Sequence, residues 1–336
     1  MMRREKLIRP VLGGVVLLAL LTAAGCSGPF TGRELAALPV AREPTGEDWE
    51  KTVPLVVEAW MGNVHERPEI VALDRETSHR STAQCHHGPS ESDPVEVRLQ
   101  ALYSREEIFI LAQWEDRTRD TDLGHWEKMA GGWAATPGAD DGIALLWGPA
   151  VEGEFRCQSA CHMVDVEVFD GRREMQMRMM FAGEGIADLW RWRSGVTAPF
   201  GLADDMAVDR NGKRGDEGQA LILENHPPPT DAEAAAEGMT IPYVLIEPPG
   251  GDQADVRADG SWDRGHWKVL FRRRLVTGDG DDRVFTAGDR FGFGLGVFDN
   301  TFRDHHVVQE GLELRLVAAQ GGALNEGKER YEPLDF

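Results

Sequence analysis

Apolar and polar residues alternate with a period of two over much of this chain, and no stretch sustains the 3.6-residue period of a long helix. Residues 95–103, Val-Glu-Val-Arg-Leu-Gln-Ala-Leu-Tyr, alternate as a half-buried strand does. Ser-Arg-Glu-Glu then supplies a turn, and residues 108–114 return as a second strand, which predicts a hairpin. Residues 141–147 form another short apolar run, and 312–317 alternate again. Residues 267–275 and 290–299 read as a further strand pair, joined by the turn-rich Thr-Gly-Asp-Gly-Asp-Asp. Only residues 231–238 look briefly helical, inside a Pro- and Gly-rich insertion spanning about 207–262. The expected fold class is all-β, an antiparallel β-sandwich with long loops. With 336 residues and 41% hydrophobic side chains, the chain can bury one large core or two smaller ones.

The N-terminus sets the compartment. Arg3, Arg4, Lys6 and Arg9 form a positive segment, residues 11–21 an apolar one, and Ala23-Ala24-Gly25 a small-residue cleavage site before Cys26. The apolar run is short for a membrane-spanning helix. Ala-Ala-Gly-Cys resembles a bacterial lipobox, which predicts lipid on Cys26 as the mature N-terminus. The alternative is a plain secretory signal with a cysteine nearby. The expected organisation is a leader over 1–25, a linker over 26–44, one domain over 45–320 and a tail over 321–336. The location expected is the periplasmic side of a bacterial membrane, with membrane contact through the lipid. A formal net charge of −21 argues against nucleic acid as a partner, because phosphate binding needs clustered Lys and Arg.

Export makes the four cysteines informative. With Cys26 lipidated, Cys85, Cys157 and Cys161 remain, and three thiols cannot all pair as disulfides. Residues 157–162 read Cys157-Gln-Ser-Ala-Cys161-His162, one residue longer than the C-x-x-C-H of c-type haem attachment. That chemistry needs two thiols spaced to reach the two vinyl groups of one porphyrin. The adjacent His then supplies its imidazole to the iron. The competing readings are a strained Cys157–Cys161 disulfide and half of a zinc site, although no second Cys pair exists to complete one.

Downstream come residues 183–192, Gly-Glu-Gly-Ile-Ala-Asp188-Leu-Trp190-Arg-Trp192, then Gly201-Leu-Ala-Asp204-Asp205. Further on are Trp267-Lys-Val-Leu-Phe-Arg272 and Phe291-Gly-Phe-Gly-Leu-Gly-Val-Phe-Asp299-Asn300. Together with the Cys-x-x-x-Cys-His segment, these resemble the haem-binding domain of the ethylbenzene dehydrogenase and dimethylsulfide dehydrogenase gamma subunits, over about residues 45–320. The resemblance implies a β-sandwich holding one haem as an electron relay beside molybdenum and iron–sulfur subunits. Subfamilies divide between non-covalent haem b and covalent haem c. Cys157 and Cys161 place this chain with haem c, and haem b is the fallback. A lipid anchor departs from the soluble complexes and leaves a stand-alone cytochrome open.

With His162 as the proximal ligand, the candidates for the sixth position rank His306, His305, Met177 and Lys268. The two His follow a strand end, Met177 shares a strand face with Met175 and Met179, and Lys is a ligand in the resembled family. Solvated loop histidines and an adaptable Met core are the plainer readings. Cys85 and His86 mark either a second, singly attached haem or a free thiol, and one haem per chain is expected. Asp188, Trp190 and Trp192 are expected to line the haem crevice. Arg191 and Arg193 would meet propionates or solvent, and Asp204, Asp205 and Asp209 form a conceivable calcium set. His125 and His266 read as core or edge residues.

No Ser-His-Asp set, phosphate-binding loop or catalytic carboxylate pair can be read, so an electron-transfer protein is expected rather than an enzyme. Its partners would be redox proteins. Two other readings stand beside it. One is a carbohydrate- or ligand-binding sandwich that uses some of the ten Trp as stacking platforms. The other is a haem sensor with an open coordination position.

Overall fold

The computed structural model describes residues 32–61, 69–72, 78–81, 94–149, 155–167, 173–181, 184–216, 221–225, 236–300 and 305–318. The leader, Cys26, the Cys85-His86 segment and nearly all of the helix expected over 231–238 lie outside them.

A single 13-stranded sheet folds over on itself into two leaves. The first leaf runs, in spatial order, Gly212–Gly215, Asp204–Asp209, Ala187–Arg193, Gly142–Trp147 and Arg290–Phe298. The second runs Leu55–Met61, Val95–Tyr103, Glu107–Glu115, His266–Arg274 and Arg257–Asp263. The expected hairpin is present, with Val97 opposite Trp114 and Ala101 opposite Ile110. Two joints connect the leaves. His306–Val307 pairs with Arg290–Phe298 on one side and Leu55–Met61 on the other. Glu34–Pro39 lies parallel to both Val95–Tyr103 and Leu312–Leu316, and the latter pairs back to Arg290–Phe298.

Two expectations need correction. Residues 34–39 fall in the span read as a linker, yet Leu35 and Ala37 are fully buried and the strand closes the sandwich. Residues 267–275 and 290–299 are strands but not partners. His266–Arg274 pairs with Glu107–Glu115 and Arg257–Asp263, while Arg290–Phe298 sits in the other leaf. The connection between them crosses the sandwich and carries Phe285, which is buried between the leaves and stacks edge-on against Trp147.

Alternation explains the core. Ile143, Leu145, Trp147, Trp190, Trp192, Phe291, Phe293, Leu295 and Val297 of the first leaf face Trp114, Trp267, Val269 and Phe271 of the second. Trp192 meets Trp267 across the interface with ring centroids 5.0 Å apart, and Trp147 lies 5.1 Å from Trp190. Such pairs each add roughly 0.5–1.5 kcal/mol beyond the area they bury.

Smaller sheets surround the sandwich. Gly124–Met129 pairs with Gly132–Pro137 and Thr240–Pro242, and Ile222–Glu224 pairs with Val244–Ile246. A four-stranded sheet orders Arg173–Met179, Cys161–Glu167, Ser78–Ser81 and Glu69–Ala72.

Candidate functional site

The strand Arg290–Phe298 has two unlike faces. Phe291, Phe293, Leu295 and Val297 enter the core, while Gly292, Gly294 and Gly296 recur on the outward side. Glycine in a strand interior marks a place where another backbone approaches closely. A Cβ on Gly294 would stand 2.4 Å from the Cys157 amide nitrogen and 2.8 Å from its Cα. A Cβ on Gly292 would meet the Phe155 Cβ at 3.0 Å, and one on Gly296 the His305 Cδ2 at 3.0 Å and Nε2 at 3.4 Å. The glycine strip is therefore a seat, filled in order by Phe155, Cys157 and His305.

Beside this seat an apolar floor covers the outward face of the first leaf. Leu146, Leu189, Met206, Val208, Phe155, Ala160 and Phe181 form it, with the Phe155 and Phe181 rings 5.8 Å apart. Cys157–Ala160 makes one tight 3-10 turn. Ser159 closes it, accepting a hydrogen bond on Oγ from the Arg156 amide at 3.2 Å and donating its own amide to the Arg156 carbonyl at 2.9 Å. Cys157 itself is buried. The chain then enters the strand Cys161–Glu167, which pairs with Arg173–Met179 and Ser78–Ser81.

The register brings together residues that are distant in sequence. His162 lies opposite Arg178 on one side and Ser81 on the other, while Cys161 faces Met179 and Met163 faces Met177. Met177 thus sits on the strand next to that of His162, in the adjoining row. Ser81, the residue opposite His162, is four residues before Cys85 in the sequence. Cys85 and His86 themselves are outside the described residues.

The other distal candidates divide clearly. His305 lies over the glycine strip, its ring 4.5 Å from that of Phe298. His306, ranked first from sequence, is buried in the strand joint opposite Val297, and its Nδ1 has no hydrogen-bond partner among the described residues. Burial holds its imidazole below the usual pKa, against the opposing charge of Asp299. Lys268 is exposed on the outward face of the opposite leaf, opposite Gln113 and Ser261, and is not brought near Cys157.

Several supporting residues have other work than expected. Trp190 and Trp192 pack inside the sandwich, and their indole nitrogens have no hydrogen-bond partner among the described residues. Arg193 is buried against Asp140 at 2.7 Å, and Arg191 pairs with Asp204 at 2.9 Å, so neither arginine is held in reserve for an outside anion. The calcium set Asp204, Asp205 and Asp209 is split, because neighbouring strand residues face opposite ways. Asp204 turns to Arg191 and Gln253, Asp209 to Arg214, and Asp205 points inward. Of the ten Trp, five (Trp114, Trp147, Trp190, Trp192 and Trp267) are core residues, whereas Trp60 is 39% exposed. His125 and His266 lie on strand edges, half-buried and exposed.

Comparison with known proteins places this site in context. In solved structures the chain is similar to a carbohydrate binding module family 9 from Caldicellulosiruptor kristjanssonii, seen in complexes with glucose and with cellotriose. Both give 10% identity and a TM-score of 0.34, covering 86% of this chain and 98% and 95% of the modules. A comparison with curated protein sequences finds no match. The family model described as ethylbenzene dehydrogenase matches residues 47–308, a span that holds the glycine seat, the Cys-x-x-x-Cys-His segment and both leaves. On that match, the chain belongs to the ethylbenzene dehydrogenase family.

Proposed function

We propose that this chain is an exported c-type haem protein that carries single electrons, as a subunit or partner of a respiratory redox complex. Lipid on Cys26 would hold it at the periplasmic face of the membrane. The observation that carries the reading is the glycine seat, which presses the Cys157 backbone onto an apolar floor beside His305. Membership of a family named for a dehydrogenase supports the redox setting.

The donor set fits a covalently attached haem. Cys157 and Cys161 would hold the macrocycle through thioethers, and His162 would supply the proximal imidazole. His305, in preference to His306, would be the second side chain to hold the iron, because it occupies the strip two residues from the position beneath Cys157. Residues so spaced on one strand face stand about 6.6 Å apart. When bound, the haem would supply reversible one-electron chemistry. The residues of the chain do the rest. Phe155, Leu146, Leu189 and Phe181 exclude water from the floor, which favours the less charged, reduced state. The Ser159 turn fixes the spacing of the two cysteines.

The test is a pyridine haemochrome assay before and after acid–acetone extraction, on chain exported by cells with cytochrome c maturation machinery. Haem that resists extraction in the parent, but not in a Cys157→Ala, Cys161→Ala double variant, is the expected result. Extractable haem in both would make this a haem b protein. Carbon monoxide binding to a high-spin parent would point to an open sensor site. No haem in either would sink electron transfer and promote the ligand-binding sandwich.

A further inference from the structure

One end of the sandwich interior holds a charged cluster that the haem reading does not use. Arg273 reaches inward from the second leaf and is only 1% exposed. Its Nη1 stands 2.5 Å from Asp188 Oδ2 and 4.0 Å from Asp205 Oδ2, both on the first leaf, and 3.2 Å from Asp282 Oδ1 on the crossing connection. The guanidinium also donates to the Arg283 carbonyl and covers the Trp190 ring at 4.8 Å. Asp188 Oδ2 accepts the Arg283 amide as well, at 2.8 Å.

The arginine does not satisfy this cluster. Three carboxylates face one cation, leaving a formal charge of −2 on these four side chains, with Asp188 and Asp205 buried and Asp282 half-buried. Asp205 is fully buried, and among the described residues neither of its oxygens accepts a hydrogen bond; Asp188 Oδ1 and Asp282 Oδ2 are buried and without such a partner in the same way. Each unpaired buried acceptor carries an uncompensated desolvation cost. Ligand oxygens of the three residues lie within 4.8 Å of one another. Oxygens that close can reach one ion together at the bond lengths of about 2.3–2.6 Å and flexible geometry of calcium.

We infer that Asp188, Asp205 and Asp282 form a buried all-oxygen site for one divalent cation of the calcium class, which ties the crossing connection to both leaves. One divalent ion with Arg273 balances these three carboxylates, while the neighbouring Asp216 and Arg283 carry one charge of each sign. All-oxygen donors select hard cations over zinc or copper. The second carboxylate triad makes a useful contrast. Asp116, Asp141 and Asp299 also converge, but Asp141 is saturated by the amides of Asp120 and Asn300 and by the Trp267 indole, and Asp299 is exposed. In the Asp205 cluster, burial and the neighbouring Asp188 push the Asp205 carboxyl well above the ordinary range, so protons compete for the site when metal is withheld.

The experiment uses the full exported chain stripped with chelator and titrated with calcium alone, followed by calorimetry and thermal unfolding at pH 7.5. Terbium is a second probe, because the nearby Trp190 can sensitise its emission. One calcium per chain is expected, with a midpoint raised by about 4 °C at a hundredfold excess over Kd. Asp205→Asn should abolish both the shift and the terbium signal, yet leave the chelated chain at least as stable as the parent, since a buried charge is gone. Asp282→Asn is the second variant should Asp205→Asn fold poorly, and Asp209→Asn, outside the cluster, should bind as the parent does. A midpoint indifferent to calcium, or a calcium response and terbium emission that survive both Asp205→Asn and Asp282→Asn, would overturn the site in favour of shared protons or diffuse surface binding.

Discussion

Replacing Gly294 by alanine adds one methyl group at the point where two backbones come closest. Its Cβ would stand 2.4 Å from the Cys157 nitrogen, 2.8 Å from the Cys157 Cα and 3.0 Å from the Arg156 carbonyl carbon. These are main-chain atoms and cannot rotate away. Restoring ordinary contact near 3.4 Å requires the attachment turn to rise by about 1 Å, against the hydrogen bonds of Ser159 and the packing of Phe155. Overpacking of this kind costs about 1–3 kcal/mol, while the reduced freedom of the unfolded chain returns only about 0.4–1 kcal/mol. The net loss is about 1–2 kcal/mol, a fall in the melting midpoint of roughly 1.5–3 °C for a chain of this size. The displaced cysteine should also lower covalent haem per chain, read by haemochrome absorbance over protein concentration. Gly250→Ala, where nothing lies within 4 Å of the added Cβ, is the control and should behave as the parent. A Gly294→Ala chain with parental midpoint and haem yield would refute the close approach on which the site is built.

Other consequences are open to measurement. His305→Ala should convert the low-spin spectrum to one that binds carbon monoxide, while His306→Ala keeps it low-spin at some cost in stability. The reverse outcome would restore the ranking read from sequence. Gly296→Ala should shift the electron paramagnetic resonance g-values by nudging the His305 ring a few tenths of an ångström, with Gly250→Ala as its neutral comparison. Arg273→Met leaves three buried carboxylates without their cation and should cost about 3–5 kcal/mol in urea unfolding. Asp116 is pushed up to about 7 by burial and by Asp141 and Asp299, so the folded chain keeps a proton that the unfolded chain loses near pH 4. Its share of stability is therefore present at low pH and declines as pH rises from about 4 to 7, at no more than about 1.4 kcal/mol per pH unit. Asp116→Asn should flatten that slope in unfolding titrations.

The sequence was most readable where a strand's partner is its neighbour in the chain. Residues 95–103 and 108–114 alternate cleanly and need only a turn between them. Residues 290–299 were as legible as a strand, but their partner was not. Nothing local to Phe285 says that the connection must cross the interior. The six residues 34–39 looked like tether because their partners come from residues 101–103 and, at much greater separation, 313–316. At the site, the cysteines and His162 stood out by chemistry alone. The glycines at 292, 294 and 296 read locally as defects in a strand, and their purpose emerges only against the backbone of Cys157. Period two was already enough to say that they share one face. The same rule separates Asp204 from Asp205, which sequence adjacency had joined in one calcium set. Asp205 and Asp282 meet only through the crossing connection, so no spacing rule could pair them.

The parallel pairing of Glu34–Pro39 with Leu312–Leu316 has a kinetic side. A chain that leaves a secretion channel N-terminus first presents residues 34–39 early and residues 312–316 late. Until both have emerged, the first strand has only part of its hydrogen-bond complement, and its buried Leu35 and Ala37 lack a completed core. Contacts of such long sequence separation close slowly, and exposed strand edges associate with whatever is near. On the proposed export route, acquisition of the native state would wait for the end of translocation. If the chain is exported as proposed, slow pausing in transit should expose it to chaperones and proteases more than its final packing would suggest.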